Sequence, residues 1–243
     1  MKDRTKSILS AAVRDFIRTG IPVTSERLFE AYDFGIKPAM IRRELNDLAA
    51  AGYFYQVHPS GGRLPTNRAY RFVVGELLAE TDSSTVRKKE TQLLAREFLH
   101  GERSAFIEEI AEYLNLFGVG YEFPRDALYE SGLWSLIDRL EVEAKREILR
   151  VVEDIELLPE RLGGSQSWLR EGDAWPHVFV GESPVTKSEH LSVIAGRFCS
   201  PKDGAGRGFL LLTIGPKRMD YRKTISLFRE LRRSCEKEHS SIV

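Results

Sequence analysis

The sequence predicts an α+β fold in two parts: a short helical part at the N-terminus, then a longer part that mixes helices with strands. Three observations lead there. Between residues 3 and 51, apolar side chains recur at helical spacing in three successive runs, and a strand-like stretch with a glycine-rich tip follows. After residue 176 the apolar residues come mainly in short continuous or alternating runs, as strands require, before one closing helix. Charge is also uneven. Residues 1–75 hold 12 Lys and Arg against 7 Asp and Glu, whereas residues 76–243 hold 24 against 29, so a net charge of zero hides a basic first third. That asymmetry suits a domain that meets a polyanion and is carried by another domain.

Residues 3–19 form the first helix, with Ile8, Leu9, Ala12, Val13, Phe16 and Ile17 on one face and Gly20 as the stop. Thr24 or Ser25 caps a second helix over about 25–32, which turns Leu28, Phe29 and Tyr32 inward. Asp33-Phe34-Gly35 is a turn, and Pro38 opens a third helix over about 38–51, where proline is well tolerated. At roughly 100° per residue, Ile41, Leu45 and Leu48 share one narrow buried sector. Ala39, Arg43, Asn46 and Ala50 lie opposite, flanked by Arg42 and Asp47. Small alanines let a helix sit deep in a groove. Arginine bonds guanine through paired hydrogen bonds, and asparagine does so with adenine. The same face would also suit an ordinary solvated helix.

The hairpin that follows favours the first of these alternatives. Tyr53–Val57 is strand-like, and His58–Pro65 is a turn-rich tip in which Ser60, Gly61 and Gly62 let the backbone approach a phosphate while Arg63 supplies charge. Thr66 caps a helix over 67–79. Helix, second helix with a basic outer face, then a hairpin is the layout of a winged helix-turn-helix, which places one helix in the DNA major groove. The expected base contacts are Arg43 and Asn46, with Met40, Arg42 and Ala39 beside them. Lys37 and Arg63 are expected at phosphate or in the minor groove, and Ser60, Gly61 and Gly62 form the wing.

The domain boundaries follow from composition. Residues 1–80 make the first domain, Thr81-Asp82-Ser83-Ser84-Thr85 a polar linker, and 86–243 the second domain. Helical patterns cover about 86–99, 103–117 and 132–150. The last of these carries Leu133, Leu136, Ile137, Leu140, Ala144 and Ile148 at helical spacing. Strands are expected at 118–123, 127–131, 177–180 and 191–198. Phe209–Ile214 is so continuously apolar that it reads as a central strand covered on both faces. A final helix over about 221–237 is capped by Asp220.

Other chemistry finds little support. No apolar run nears the roughly 20 residues that span a bilayer, and the N-terminus enters an amphipathic helix without a signal-like stretch, so no membrane association and a cytoplasmic location are expected. Two cysteines make neither a disulfide framework nor a zinc quartet. The five histidines form no i, i+4 pair. Gly204-Ala-Gly-Arg-Gly208 precedes a strand instead of joining a strand to a helix, and no nucleophile elbow occurs. No enzyme activity, cofactor or metal is therefore expected.

The residues also carry a resemblance. Ile21-Pro-Val-Thr-Ser, Ala39-Met-Ile-Arg-Arg-Glu-Leu, His58-Pro-Ser-Gly-Gly-Arg-Leu-Pro-Thr and Tyr70-Arg-Phe-Val resemble the DNA-binding part of the HrcA heat-inducible transcription repressors. Val180-Gly-Glu and Ile214-Gly-Pro-Lys-Arg-Met-Asp-Tyr221 resemble that family's later motifs. The resemblance implies a GAF-like second domain and a homodimeric repressor. Such a repressor binds double-stranded DNA at an inverted-repeat operator ahead of chaperone operons, releases it on heat stress, and has a GroEL-type chaperonin as partner. Members usually carry an inserted dimerisation domain, and here the stretch between roughly 118 and 176 is too short to hold a full one. Met40 stands where the family has threonine and Arg43 where it has asparagine, so a shifted base preference is expected. Two other classes stay open: a regulator whose GAF-like domain senses a small molecule, and a module whose winged helix binds a protein.

Overall fold

The structure, a computed structural model, describes residues 1–56, 58, 61–80, 88–100, 102–123, 125–140, 145–163, 169, 175–198 and 208–241. The chain divides into two compact units, Met1–Glu76 and Leu77–Val243. The expected linker at 81–85 and the glycine-rich stretch before Gly208 lie outside the described residues.

The first unit contains α1 (Asp3–Thr19), α2 (Ser25–Ala31), α3 (Pro38–Ala50), β1 (Phe54–Gln56), β2 (Arg63–Pro65) and most of α4 (Asn67–Ala79). Gly20 ends α1 at φ 69°, a left-handed conformation costly to other residues, and its N–H reaches the Phe16 carbonyl. The Thr24 side chain accepts from the Arg27 N–H and so starts α2. Ile8, Leu9, Ala12 and Val13 of α1 are buried with Leu28, Ile41, Leu45, Leu48, Phe54, Tyr70 and Val73. Two expectations fail here. Phe29 is 48% exposed, because the short α2 buries only Ser25 and Leu28. The Thr66 hydroxyl does not cap α4; it donates to the carbonyls of Gly52 (2.8 Å) and Tyr53 (3.2 Å), which ties the end of the hairpin to its start.

The second unit is built on a five-stranded antiparallel sheet of order β4-β3-β7-β6-β5. Its strands are β3 (Phe117–Phe123), β4 (Ala127–Ser131), β5 (His177–Val180), β6 (Leu191–Phe198) and β7 (Gly208–Pro216). β7 lies between β3 and β6 and is buried along its whole length, as its uninterrupted apolar sequence requires. One face of the sheet carries α5 (Lys88–His100), α6 (Arg103–Leu114) and α10 (Tyr221–Ser241), with Phe98 at 5.0 to 5.5 Å from Phe106, Phe198 and Phe209. On the other, Val119, Tyr121, Val193, Leu210 and Leu212 pack with Leu136, Val151, Leu158 and Leu162. Asp220 caps α10 by accepting from the Lys223 N–H at 2.9 Å.

Two helix expectations need correction. The helix expected over 103–117 stops at Leu114, because Asn115 turns left-handed at φ 52° and the chain enters β3. The single helix expected over 132–150 is α7 (Leu133–Asp138) and α8 (Lys145–Glu156), followed by α9 (Leu158–Gly163). Arg139 and Leu140 close α7 with three-residue bonds to Leu136 and Ile137. The periodicity of each piece is real, but it does not reveal a break that preserves the pattern. Among the described residues no helix is long and apolar enough to cross a membrane. Cys235 is buried and forms no disulfide among the described residues.

Candidate nucleic-acid interface

The site begins with what holds α3. Ile41, Leu45 and Leu48 are at most 1% exposed and fix its inner face. Glu44, at the side, accepts from the Thr5 hydroxyl at 2.8 Å and from Arg4 at 3.1 Å. The Thr5 hydrogen bond, together with the Arg4 charge, holds its carboxyl below the usual carboxylate range. Arg68 closes the far end by donating to the Ala51 carbonyl at 2.6 Å while lying over the Tyr53 ring.

α2 is set by an ion pair to a buried carboxylate. Asp15 of α1 is fully buried and accepts from Arg27 Nε at 2.6 Å and Arg18 Nη2 at 2.8 Å. Burial works to raise its pKa, but the two guanidinium groups win and hold the carboxyl below its ordinary value.

With the inner face fixed, Ala39, Met40, Arg42, Arg43 and Asn46 all come out exposed within one arc of α3, and Lys37, the residue just before the helix, is exposed as well. Among the described residues the side chains of Lys37, Arg42 and Arg43 make no hydrogen bond and no close ion pair, although Arg42 feels the charge of Glu26. By contrast, Arg4, Arg18, Arg27 and Arg68 are engaged internally. The cationic side chains at α3 are thus displayed beside Ala39 and Met40, with the Asp47 carboxylate exposed next to them, and the surface stays net basic and can approach a polyanion closely.

Arg63 sits elsewhere than expected. It is 7% exposed, not on a solvent-facing tip. In β2 it opposes Gln56, and its backbone also exchanges two 2.9 Å hydrogen bonds with Val23, so both edges of the strand are paired there. Strand alternation turns Arg63 and Pro65 inward and Leu64 outward. The guanidinium donates through Nη2 to Asn46 Oδ1, while its Nε has no partner. Burial, and then the neighbouring Arg42 charge, lower its pKa, with Glu26 acting in opposition.

Gly62 explains how β2 comes so close. A Cβ there would lie 2.7 Å from Pro22 Cβ and 2.9 Å from its carbonyl oxygen, so only glycine fits. Gly61 is exposed; its N–H meets the His58 carbonyl at 3.0 Å and its carbonyl accepts from Gln56 Nε2 at 3.1 Å. Ser60 lies outside the described residues. The link between Arg63 and Asn46 was not foreseen. Its signal was the two-residue alternation of Arg63 and Pro65 opposite the buried Phe54.

The second unit holds a polar cleft centred on Asp154, which is 2% exposed. Its carboxylate accepts from Lys187 N at 2.8 and 2.9 Å, Ser188 N at 2.8 Å and Arg161 Nη1 at 2.7 Å. Arg161 also donates to the Val185 carbonyl at 2.6 Å. These bonds fasten the loop after β5 to α8 and α9, a structural duty.

Comparison with known proteins agrees with this architecture. A crystal structure of a hypothetical protein, solved at 2.2 Å, superposes with a TM-score of 0.77 at 17% identity, covering 99% of each chain, and shows the fold. A heat-inducible transcription repressor HrcA from Pelotomaculum thermopropionicum is 39% identical over 98 residues, 40% of this chain and 27% of that protein. One from Desulforudis audaxviator is 47% identical over 76 residues, 31% of this chain and 22% of that protein. The matched stretches thus span about a quarter of these relatives' length. Residues 68–225 match the family model described as HrcA protein C terminal domain. That match takes in well over half of the sequence, and on it the chain belongs to the HrcA family.

Proposed function

We propose that this protein is a sequence-specific transcriptional repressor that binds an inverted-repeat operator as a homodimer and controls chaperone operons. The observation that carries this reading is the exposed face of α3 near the Gly61–Gly62 hairpin, where the side chains of Lys37, Arg42 and Arg43 make no hydrogen bond or close ion pair among the described residues. In this reading the first unit is a winged helix-turn-helix with α3 in the major groove. Arg43 and Asn46 meet base edges, with Met40, Arg42 and Ala39 beside them. Lys37 and the hairpin backbone at Gly61 meet phosphate. Two copies match the two-fold symmetry of an inverted repeat. The second unit is the GAF-like regulatory and dimerisation part, and family membership supports a GroEL-type chaperonin as a partner and the bacterial cytoplasm as the location.

The test is selection of bound sequences from random duplex DNA by the whole chain. A palindrome with half-sites about one helical turn apart is expected. Arg43→Ala is expected to lower the preference for the selected site over random DNA by roughly 1–3 kcal/mol, the worth of a paired contact to a base edge. Equal weakening on both DNAs would make Arg43 a phosphate contact. Enrichment of no sequence would overturn the proposal.

A further inference from the structure

We infer that Arg63 sets which bases α3 can read: it holds the Asn46 carbonyl oxygen inward and leaves only the Asn46 amide N–H groups for a base edge. The inference rests on the proposed DNA reading and makes it more specific.

The chemistry of the pair allows one arrangement. A guanidinium carries donors and no acceptor, so only the oxygen end of the Asn46 amide can face it. That settles which way the amide is turned, because the opposite orientation would set donor against donor. The bond is charge-assisted and stronger than one between neutral groups. Arg63 is also poorly placed to let go. Both of its backbone polar groups are bonded to Val23, Gln56 lies opposite it in the hairpin, and Gly62 is pressed against Pro22. Its guanidinium is buried with Nε already unpartnered, so losing Asn46 would strip a buried cation further. Asn46 itself is exposed on the outer face of α3, the face proposed to meet a duplex.

The consequence is a change of code. Pairing with adenine uses both ends of an asparagine, the oxygen accepting from N6 and the nitrogen donating to N7. With the oxygen turned toward Arg63, the oxygen and nitrogen ends cannot both meet one base edge even though the oxygen keeps a second lone pair, so Asn46 acts as a donor. Guanine, which offers O6 and N7 as acceptors, then becomes the preferred partner, and cytosine, which offers only a donor, is rejected. Arg63 is therefore a positioning residue, acting on DNA through Asn46 instead of touching it.

The experiment is selection from random duplex DNA with the whole chain as wild type, Asn46→Ala, Asn46→Asp, Arg63→Met and Arg63→Lys, with thermal melting of each variant. Asn46→Ala locates the position that Asn46 reads, as the one whose preference alone collapses. Wild type is expected to favour guanine there by about tenfold over adenine or cytosine. Arg63→Met, which frees the amide to turn, is expected to admit adenine at that position, and Arg63→Lys, which still donates, is expected to keep guanine. Asn46→Asp keeps a partner for Arg63 but has no donor, and is expected to lose guanine.

Adenine at that position in wild type would overturn the inference even if Arg63→Met fails to fold. So would a folded Arg63→Met with unchanged preference. If Asn46→Ala alters no position, the inference fails while the repressor reading stands. If wild type enriches nothing, both fail.

Discussion

Asp154→Ala is expected to cost the second unit about 3–5 kcal/mol, the range found when one partner of a buried charged network is removed. The carboxylate meets two backbone N–H groups and Arg161 within 2.9 Å, and the alanine variant would leave them without that acceptor. Arg161 keeps its bond to the Val185 carbonyl, so the loop loses the carboxylate anchor but not every tie. Asp154→Asn should fall between wild type and alanine, since it retains one acceptor but turns a donor toward the loop. Denaturant titration reads the effect as a lower midpoint at an unchanged slope. A loss below about 1 kcal/mol would make the network a surface-type interaction of little worth.

Asp15→Ala is expected to act in the same direction in the first unit but by less than a fully buried network would, about 1–3 kcal/mol, because the carboxylate is fully buried while Arg27 and Arg18 still reach solvent. Here pH gives a second readout. The folded-state pKa of Asp15 is lowered from 3.8, so the unfolded chain takes up its proton first on acidification. The stabilisation from Asp15 is therefore complete above the ordinary carboxylate range and is lost as pH falls through the folded-state value. Glu44 acts in the same direction. Wild type should lose first-unit stability steeply below about pH 4. Asp15→Ala should be weaker at neutral pH and flatter in acid. Parallel acid profiles for the two proteins would show that Asp15 does not carry this linkage.

The inner face of α3 was legible because Ile41, Leu45 and Leu48 are set by a local period, and a local period is written in consecutive residues. β7 was legible for a similar reason: nine buried positions leave no polar alternation to read. The failures are long-range. Whether Arg63 faces solvent depends on Val23 and Gln56 approaching β2 from two sides, and that pairing is absent from its neighbouring residues. Thr66 had a choice between its own helix and the carbonyls of Gly52 and Tyr53, and only tertiary closeness decides it. The break between α7 and α8 was hidden because apolar spacing continues through it. At the candidate interface, the exposed α3 residues followed from helical geometry, whereas the Arg63–Asn46 pair needed the folded hairpin.

The central claim is that the exposed basic face of α3 and the adjoining hairpin hold a DNA duplex. The most direct measurement is the affinity of the whole chain for duplex DNA across a range of salt concentrations. A linear fall of log K with log salt is predicted, with a slope of about −0.9 per phosphate neutralised and about one unit shallower in Lys37→Ala. Binding that is absent, or that does not change with salt, would contradict the account.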